Sequence, residues 1–216
     1  GKKVLLIEEQ YLGGTCLNVG CIPTKTLLAG AKNYLHAKEA GQFGVDATGV
    51  TLDWARLQDW KTKVVNGLVS GVAATEKRAG VTVVSARGHF DGPGKVTADG
   101  VQYTSEHVII ATGSVPAVPP IPGAKDNPAV VDSTGILSLP EIPRRLGGVI
   151  GVEFASLYST LGSEVTVIEM TPEILPFMDD DMAANMRKAM KGITFELGCR
   201  VESLDGATVN YSKGDE

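Results

Sequence analysis

Two cysteines, Cys16 and Cys21, stand five positions apart in the string Leu-Gly-Gly-Thr-Cys-Leu-Asn-Val-Gly-Cys-Ile-Pro-Thr-Lys that fills residues 12–25. An extended segment would hold their Cα atoms too far apart to bridge, whereas about one and a half helical turns returns them to within the ~4.4–6.8 Å of a disulfide. Pro23 and the apolar residues Leu27, Leu28, Ala31 and Leu35 start a helix. Cys21 therefore lies near helix N-terminal amides, whose partial positive charge favours a thiolate. A redox-active pair is one reading. Two reduced, buried thiols are the other, and spacing alone does not choose between them. Gly13, Gly14 and Gly20 clear side chains from around both sulfurs, which suits close approach of something flat or anionic to the backbone.

A second constellation lies further on. Gly147, Gly148, Val149, Ile150 and Gly151 run through Val152 and Glu153 into a helical pattern, and the strand pattern of residues 164–169 ends in Glu169, eighteen positions after Gly151. Glycines at a turn, a helix whose N-terminus meets a pyrophosphate, and a strand-end acid for a ribose together make the βαβ pattern of a dinucleotide site. A carboxylate at Glu169 accepts from a free 2′-hydroxyl and repels a 2′-phosphate, so the pattern favours NAD(H) over NADP(H). One part is out of place. The fingerprint wants a strand and a first glycine before Gly147, but Arg144-Arg145-Leu146 offers neither, and Leu146 occupies the first glycine's position. About four residues are expected to be missing between Leu146 and Gly147, since a domain without its central strand would forfeit stability on the order of its whole ~5–15 kcal/mol.

Taken whole, the cysteine string resembles the disulfide motif of the class I pyridine nucleotide-disulfide oxidoreductases. Leu17, Ile22 and Thr24 lean toward the members that oxidise dihydrolipoyl groups. The resemblance implies a Cys16–Cys21 disulfide, with Cys16 as the interchange thiol and Cys21 as the thiol against a flavin. It implies an ion pair of Lys25 with Glu153 beside the flavin and nicotinamide. It assigns FAD to Glu8, Gly14, Thr15, Cys16, Lys25, Gly88 and the turn Ala111, Thr112, Gly113 and Ser114. NAD falls to Gly147, Gly148, Val149, Ile150, Gly151, Glu153, Glu169 and Val201. The implied activity passes electrons from a dihydrolipoyl group of a 2-oxo acid dehydrogenase complex through disulfide and FAD to NAD⁺, in a homodimer. Another FAD-dependent disulfide or mercuric reductase, and a non-catalytic nucleotide-binding fragment, are the alternatives. The matched span is only the middle of such a protein. A first flavin strand with its glycine-rich turn is expected before Gly1, and a dimer-interface domain carrying a His-Glu acid-base pair after Glu216. The 216 residues alone should not turn over.

The elements that position these residues follow the same α/β scheme. Residues 1–115 read as an incomplete Rossmann-like FAD-binding domain with a β-meander insertion, 116–143 as a crossing segment, and 144–216 as part of a second Rossmann-like, NAD-binding domain. A first strand ends in Glu8-Glu9; helices follow over 23–40 and 52–78, the second carrying Trp54, Leu57, Trp60, Val64 and Leu68 as an apolar face. Residues 81–84 and 108–114 read as buried strands, and 95–103 as a hairpin turned at Asp99-Gly100. Four prolines in residues 115–122 exclude helix and central strand. Residues 206–212 read as a strand stopping in a turn, so the chain looks truncated at both ends.

Composition narrows the classes. A net charge of −5 and 43% hydrophobic residues offer no basic stripe for nucleic acid. No apolar run approaches the ~20 residues of a membrane span, and the N-terminus lacks signal-peptide character. Three cysteines point to a reducing, cytoplasmic setting. Cys199 reads as an apolar filler, His36, His89 and His107 show no metal spacing, and Asp179-Asp180-Asp181 reads as a charge cluster at a helix N-terminus.

Overall fold

A computed structural model of the chain describes residues 2–148 and 151–214; Val149 and Ile150, expected in the nucleotide turn, lie outside the described residues. In chain order the elements are β1 (Leu5–Glu8), α1 (Gly14–Val19), α2 (Cys21–Lys38), α3 (Trp54–Arg78), β2 (Thr82–Ser85), β3 (Gly88–Gly92), β4 (Lys95–Ala98) and β5 (Val101–Thr104). Then come β6 (Arg145–Gly148), α4 (Val152–Thr160), β7 (Glu164–Glu169), α5 (Asp180–Ala189), β8 (Ile193–Leu197), β9 (Cys199–Asp205) and β10 (Thr208–Lys213). The chain divides into two units, Gly1–Pro23 with Trp60–Val115, and Thr24–Asp59 with Pro116–Glu216.

In the first unit β1 pairs in parallel with β2, from Leu5 opposite Thr82 to Glu8 opposite Ser85. Strands β3, β4 and β5 form an antiparallel meander. The β4–β5 hairpin turns where expected: Asp99 and Gly100 have φ of 48° and 73°, the two positive values a two-residue type I′ loop requires. Two expectations are corrected. Residues 108–114 form no strand, and Ile109 and Ile110 are 90% and 65% exposed. Residues 81–84 do supply β2, but Val83 is exposed. Both corrections have one cause. A parallel strand becomes buried only with a neighbour on each side and covered faces, and among the described residues the β1–β2 ladder has just two strands.

In the second unit β6, β7 and β8 make a parallel sheet in that order. Val165, Val167 and Ile168 of β7 are buried, as the near-continuous apolar sequence of a covered parallel strand demands. Their core partners are Leu27 and Ala31 of α2, Trp54 and Leu57 at the start of α3, and Ala155, Leu157 and Tyr158 of α4. Two polar groups of this core have partners: Tyr158 Oη donates to the Ile136 carbonyl, and Trp54 Nε1 donates to Leu139 O at 3.0 Å. Trp60, expected in the core with Trp54, is exposed. Six residues on, at about 100° per residue, it lies roughly 240° round the helix from Trp54 and leaves the buried face.

The expectation that residues 144–146 hold no strand is corrected too. Arg145–Gly148 is a strand, in register with Glu164, Val165, Thr166 and Val167 of β7. The sheet recruits the residues available between Pro143 and α4. Gly147 and Gly148, expected in the turn, are thereby drawn into β6. Beyond β7, residues 199–213 close as the β9–β10 hairpin. Helix α5 begins at an Asp179 N-cap with Asp180 and Asp181 in its first turn and Arg187 and Lys188 in its last, matching the helix dipole at both ends.

Candidate active site

Cys16 and Cys21 are joined in a disulfide with their Cα atoms 4.7 Å apart. The geometry differs from a single helix passing through both. The chain makes the short helix α1, breaks at Gly20, and restarts with Cys21 as the first residue of α2. Gly20 is needed for close approach: a Cβ there would meet the Cys16 Cα at 3.0 Å and the Thr15 carbonyl oxygen at 3.1 Å. Gly13 and Gly14 enter α1 with φ of 92° and 68°, a left-handed pair that glycine adopts without strain. Asn18, which the sequence reading did not single out, ties this entry together by donating from Nδ2 to the carbonyls of Leu12 and Gly14, both at 2.9 Å. Its signal was an amide side chain placed between the two cysteines.

Both cysteines are exposed, so the disulfide can be reached from solvent. Cys21 at the head of an eighteen-residue helix gives its sulfur the positive end of the helix dipole, a setting that stabilises a departing thiolate. Lys25 is four residues further along α2, one turn from Cys21. Its ammonium is ion-paired with Glu153, which stands in the first turn of α4. The structure thus brings together two charges 128 residues apart in sequence. The acid at a helix N-terminus is itself favoured by the dipole.

The strand-end acids are organised alike. Glu8 Oε1 accepts from the amides of Gln10 at 2.8 Å and Tyr11 at 3.2 Å. Glu169 Oε1 accepts from the Thr171 amide and hydroxyl, both at 2.9 Å. Each carboxylate is fixed by its own following turn through one oxygen, and no hydrogen bond from a described residue reaches the other. Gly88 lies on β3 beside β1, where a Cβ would touch Ile7 at 3.4 Å. Ala111, Thr112, Gly113 and Ser114 are exposed backbone outside any strand, with Gly113 at φ 69°. In the first unit, the fixed acid Glu8 and the side-chain-free entry to α1, where a Cβ at Gly14 would meet nothing within 4 Å, fit an adenosine ribose and a flat ring system. The FAD role fits these residues.

The second dinucleotide site fits only in part. Gly151 caps α4 in an extended conformation and Glu169 closes β7, as a βαβ site requires. Gly147 and Gly148 belong to β6, however, and Leu146 packs against the core in place of a first glycine. The acid suits a ribose, and Val149 and Ile150, which join β6 to the α4 cap, lie outside the described residues. Val201 is a half-buried residue of β9. Cys199 is buried and unpaired. His89 contacts Asp91, whose carboxyl is held below the usual range chiefly by Thr97 and next by His89. Among the described residues, no three His, Cys, Asp or Glu side chains gather where a metal could bind, and no helix is long and apolar enough to cross a membrane.

The chain thus joins an exposed disulfide at a helix head and an acid-terminated β1 in its first unit to a parallel α/β sheet in its second. The model of the pyridine nucleotide-disulphide oxidoreductases matches residues 1–216, and the chain belongs to that family. A dihydrolipoyl dehydrogenase of Acholeplasma laidlawii is 42% identical over 222 residues, which take in 98% of this chain and 66% of that protein. One from Geobacillus stearothermophilus is 38% identical over 230 residues, covering the whole chain and 48% of its own length. Among solved structures, the HOCl-induced flavoprotein disulfide reductase RclA from Escherichia coli superposes with a TM-score of 0.83 at 33% identity, over all of this chain and 48% of that one. The chain therefore spans about half to two thirds of the length of the relatives it matches.

Proposed function

We propose that the protein to which this chain belongs is a dihydrolipoyl dehydrogenase, oxidising the dihydrolipoyl group of a 2-oxo acid dehydrogenase complex. The observation that carries this reading is the exposed Cys16–Cys21 disulfide at the head of α2, with Lys25 one turn along. A substrate thiolate attacks Cys16 Sγ and breaks the Cys16–Cys21 bond. Cys21 departs as a thiolate facing the α2 amides. The second substrate thiol then displaces Cys16, giving the lipoyl disulfide and the Cys16/Cys21 dithiol, with two electrons moved from substrate to protein. Glu8, Gly14, Thr15, Cys16, Gly88 and residues 111–114 of the first unit would hold FAD, which when bound would supply the two-electron chemistry that reoxidises the pair.

The nicotinamide in this reading is NAD(H), supported by the free oxygen of Glu169, which would oppose a 2′-phosphate. The partner is a lipoyl domain, the assembly a homodimer, and the compartment the cytoplasm, where a reducible pair can cycle. A second reading, a reductase of another disulfide, is favoured by the likeness to RclA. Titration of the 216-residue chain with dihydrolipoamide and, separately, with reduced glutathione decides between them at the level of the disulfide. We expect dihydrolipoamide to release two alkylatable thiols, Cys16 and Cys21, at concentrations where glutathione releases none. Equal response to both thiols would sink the dihydrolipoyl assignment.

A further inference from the structure

We infer that Thr171 is the positioning residue of Glu169, holding that carboxylate ready for the adenosine ribose hydroxyls of the nicotinamide nucleotide. The inference rests on the proposed reading of Glu169 as that nucleotide's acid and adds a residue to it. Glu169 is the last residue of β7. A carboxylate at a strand end can turn about its own side-chain bonds, and a ligand that needs one orientation must then order it on binding, at a cost in entropy. Here the orientation is already set. Two hydrogen bonds end on Glu169 Oε1, and both start from Thr171: one from its amide and one from its hydroxyl, each at 2.9 Å. One donor would leave the group free to pivot on that bond; two donors on the same oxygen fix where the other oxygen points.

Thr171 can do this because it is itself held. Its carbonyl accepts from the Gly198 amide at 3.0 Å, which ties it to the turn between β8 and β9. Its hydroxyl also lies 2.7 Å from the Glu173 carbonyl oxygen. That carbonyl is anchored in turn: Ile174 next to it is buried, and the Glu173 carboxylate takes the Arg187 guanidinium of α5 through two hydrogen bonds of 2.9 Å. A hydroxyl has a single hydrogen to give. Of the two acceptors within reach, the charged Glu169 binds it more strongly, and the Glu173 carbonyl keeps the hydroxyl on that side of the turn. Valine in this place would retain the shape and the amide bond but lose the hydroxyl; serine would retain both bonds.

The test is binding of NADH, read by nucleotide fluorescence, to the 216-residue chain and to its Thr171→Val, Thr171→Ser and Glu169→Gln variants. An NADH analogue whose adenosine ribose lacks both hydroxyls is measured beside it. Thr171→Val should weaken NADH about 10-fold, the effect of one hydrogen bond to a charged group, and Thr171→Ser should bind as the parent does. The dideoxy analogue should bind the parent and Thr171→Val alike to within about twofold, since a residue that acts through Glu169 has nothing to add once the hydroxyls are gone. For the same reason Thr171→Val should cause no further loss in the Glu169→Gln background. An equal loss for NADH and the analogue, a loss fully additive with Glu169→Gln, or NADH binding that Thr171→Val leaves unchanged would each overturn the role of Thr171 while the nicotinamide reading stands. If the parent chain takes no NADH, or if Glu169→Gln binds it as the parent does, the nicotinamide reading fails and the role of Thr171 falls with it. Should Thr171→Val not fold, Thr171→Ala takes its place with the same expectations.

Discussion

Lys25, proposed for the chemistry, should matter little for folding. Its side chain and that of Glu153 are 59% and 55% exposed, and ion pairs this open to water contribute about 0–1 kcal/mol. Removing the charge should leave the fold almost untouched. The same ammonium, one turn from Cys21, favours the thiolate that forms when the disulfide opens. Lys25→Met should therefore change the free energy of urea unfolding by less than about 1 kcal/mol. In the reduced chain it should raise the pH at which Cys21 becomes reactive toward iodoacetamide. A chain that alkylates with an unchanged pH profile would remove Lys25 from the thiol's environment and leave it a surface cation.

At the scale of elements, the second unit is held where α4 meets the segment before β6. Tyr158 is fully buried and its hydroxyl donates to the Ile136 carbonyl. Burial raises its pKa to about 12 from an ordinary 10.0. The unfolded chain ionises this phenol near 10 while the folded chain keeps it neutral to about 12, so the contribution is complete below pH 10 and is lost as pH rises between those values. Tyr158→Phe should cost about 1–3 kcal/mol at neutral pH by orphaning the carbonyl. It should also flatten the fall in stability seen above pH 10 in thermal melts of the parent chain. A variant that melts like the parent and shows the same alkaline slope would mean that this hydrogen bond holds nothing.

The same scale shows what could be read before the structure. The Asp99-Gly100 hairpin, α2 and α3 were legible because each is specified by its own residues: a turn pair, a helix start, a repeating apolar face. Residues 108–114 and β6 were not. An apolar run such as Val-Ile-Ile-Ala becomes a strand only if a neighbour offers its ladder, and Arg-Leu-Gly-Gly becomes one because β7 does. Pairing is a property of two segments, and periodicity reports on one. In the site, the cysteines, Lys25, Glu153 and the strand-end acids were visible as residue types. Asn18 was missed because its role, holding two carbonyls of the α1 entry, exists only once the backbone has turned.

For the molecule as a whole, the unpaired apolar backbone of the first unit has a consequence in solution. Val4, Ile109, Ile110 and Val115 are 51%, 90%, 65% and 85% exposed, and β1 has β2 as its one ladder partner among the described residues. Exposed strand edges and contiguous apolar surface recruit other chains. Against this stands a net charge of −5, which repels copies at pH 7 and vanishes near the pI of about 5.3. Self-association should accordingly rise as pH falls from 7 toward 5.3, measured by light scattering, and the chain should enhance the fluorescence of an apolar dye. The double substitution Ile109→Lys and Ile110→Lys should reduce both signals and leave the unfolding free energy within about 0.5 kcal/mol, since these side chains are exposed already. Phe177→Lys serves as the control: Phe177 is 82% exposed but belongs to the second unit, and its loss should leave both signals unchanged. If the parent chain stays monomeric and dark with the dye down to its pI, the 108–115 segment is covered in solution by something in its own chain, and the two-stranded β1–β2 ladder is not how the first unit ends.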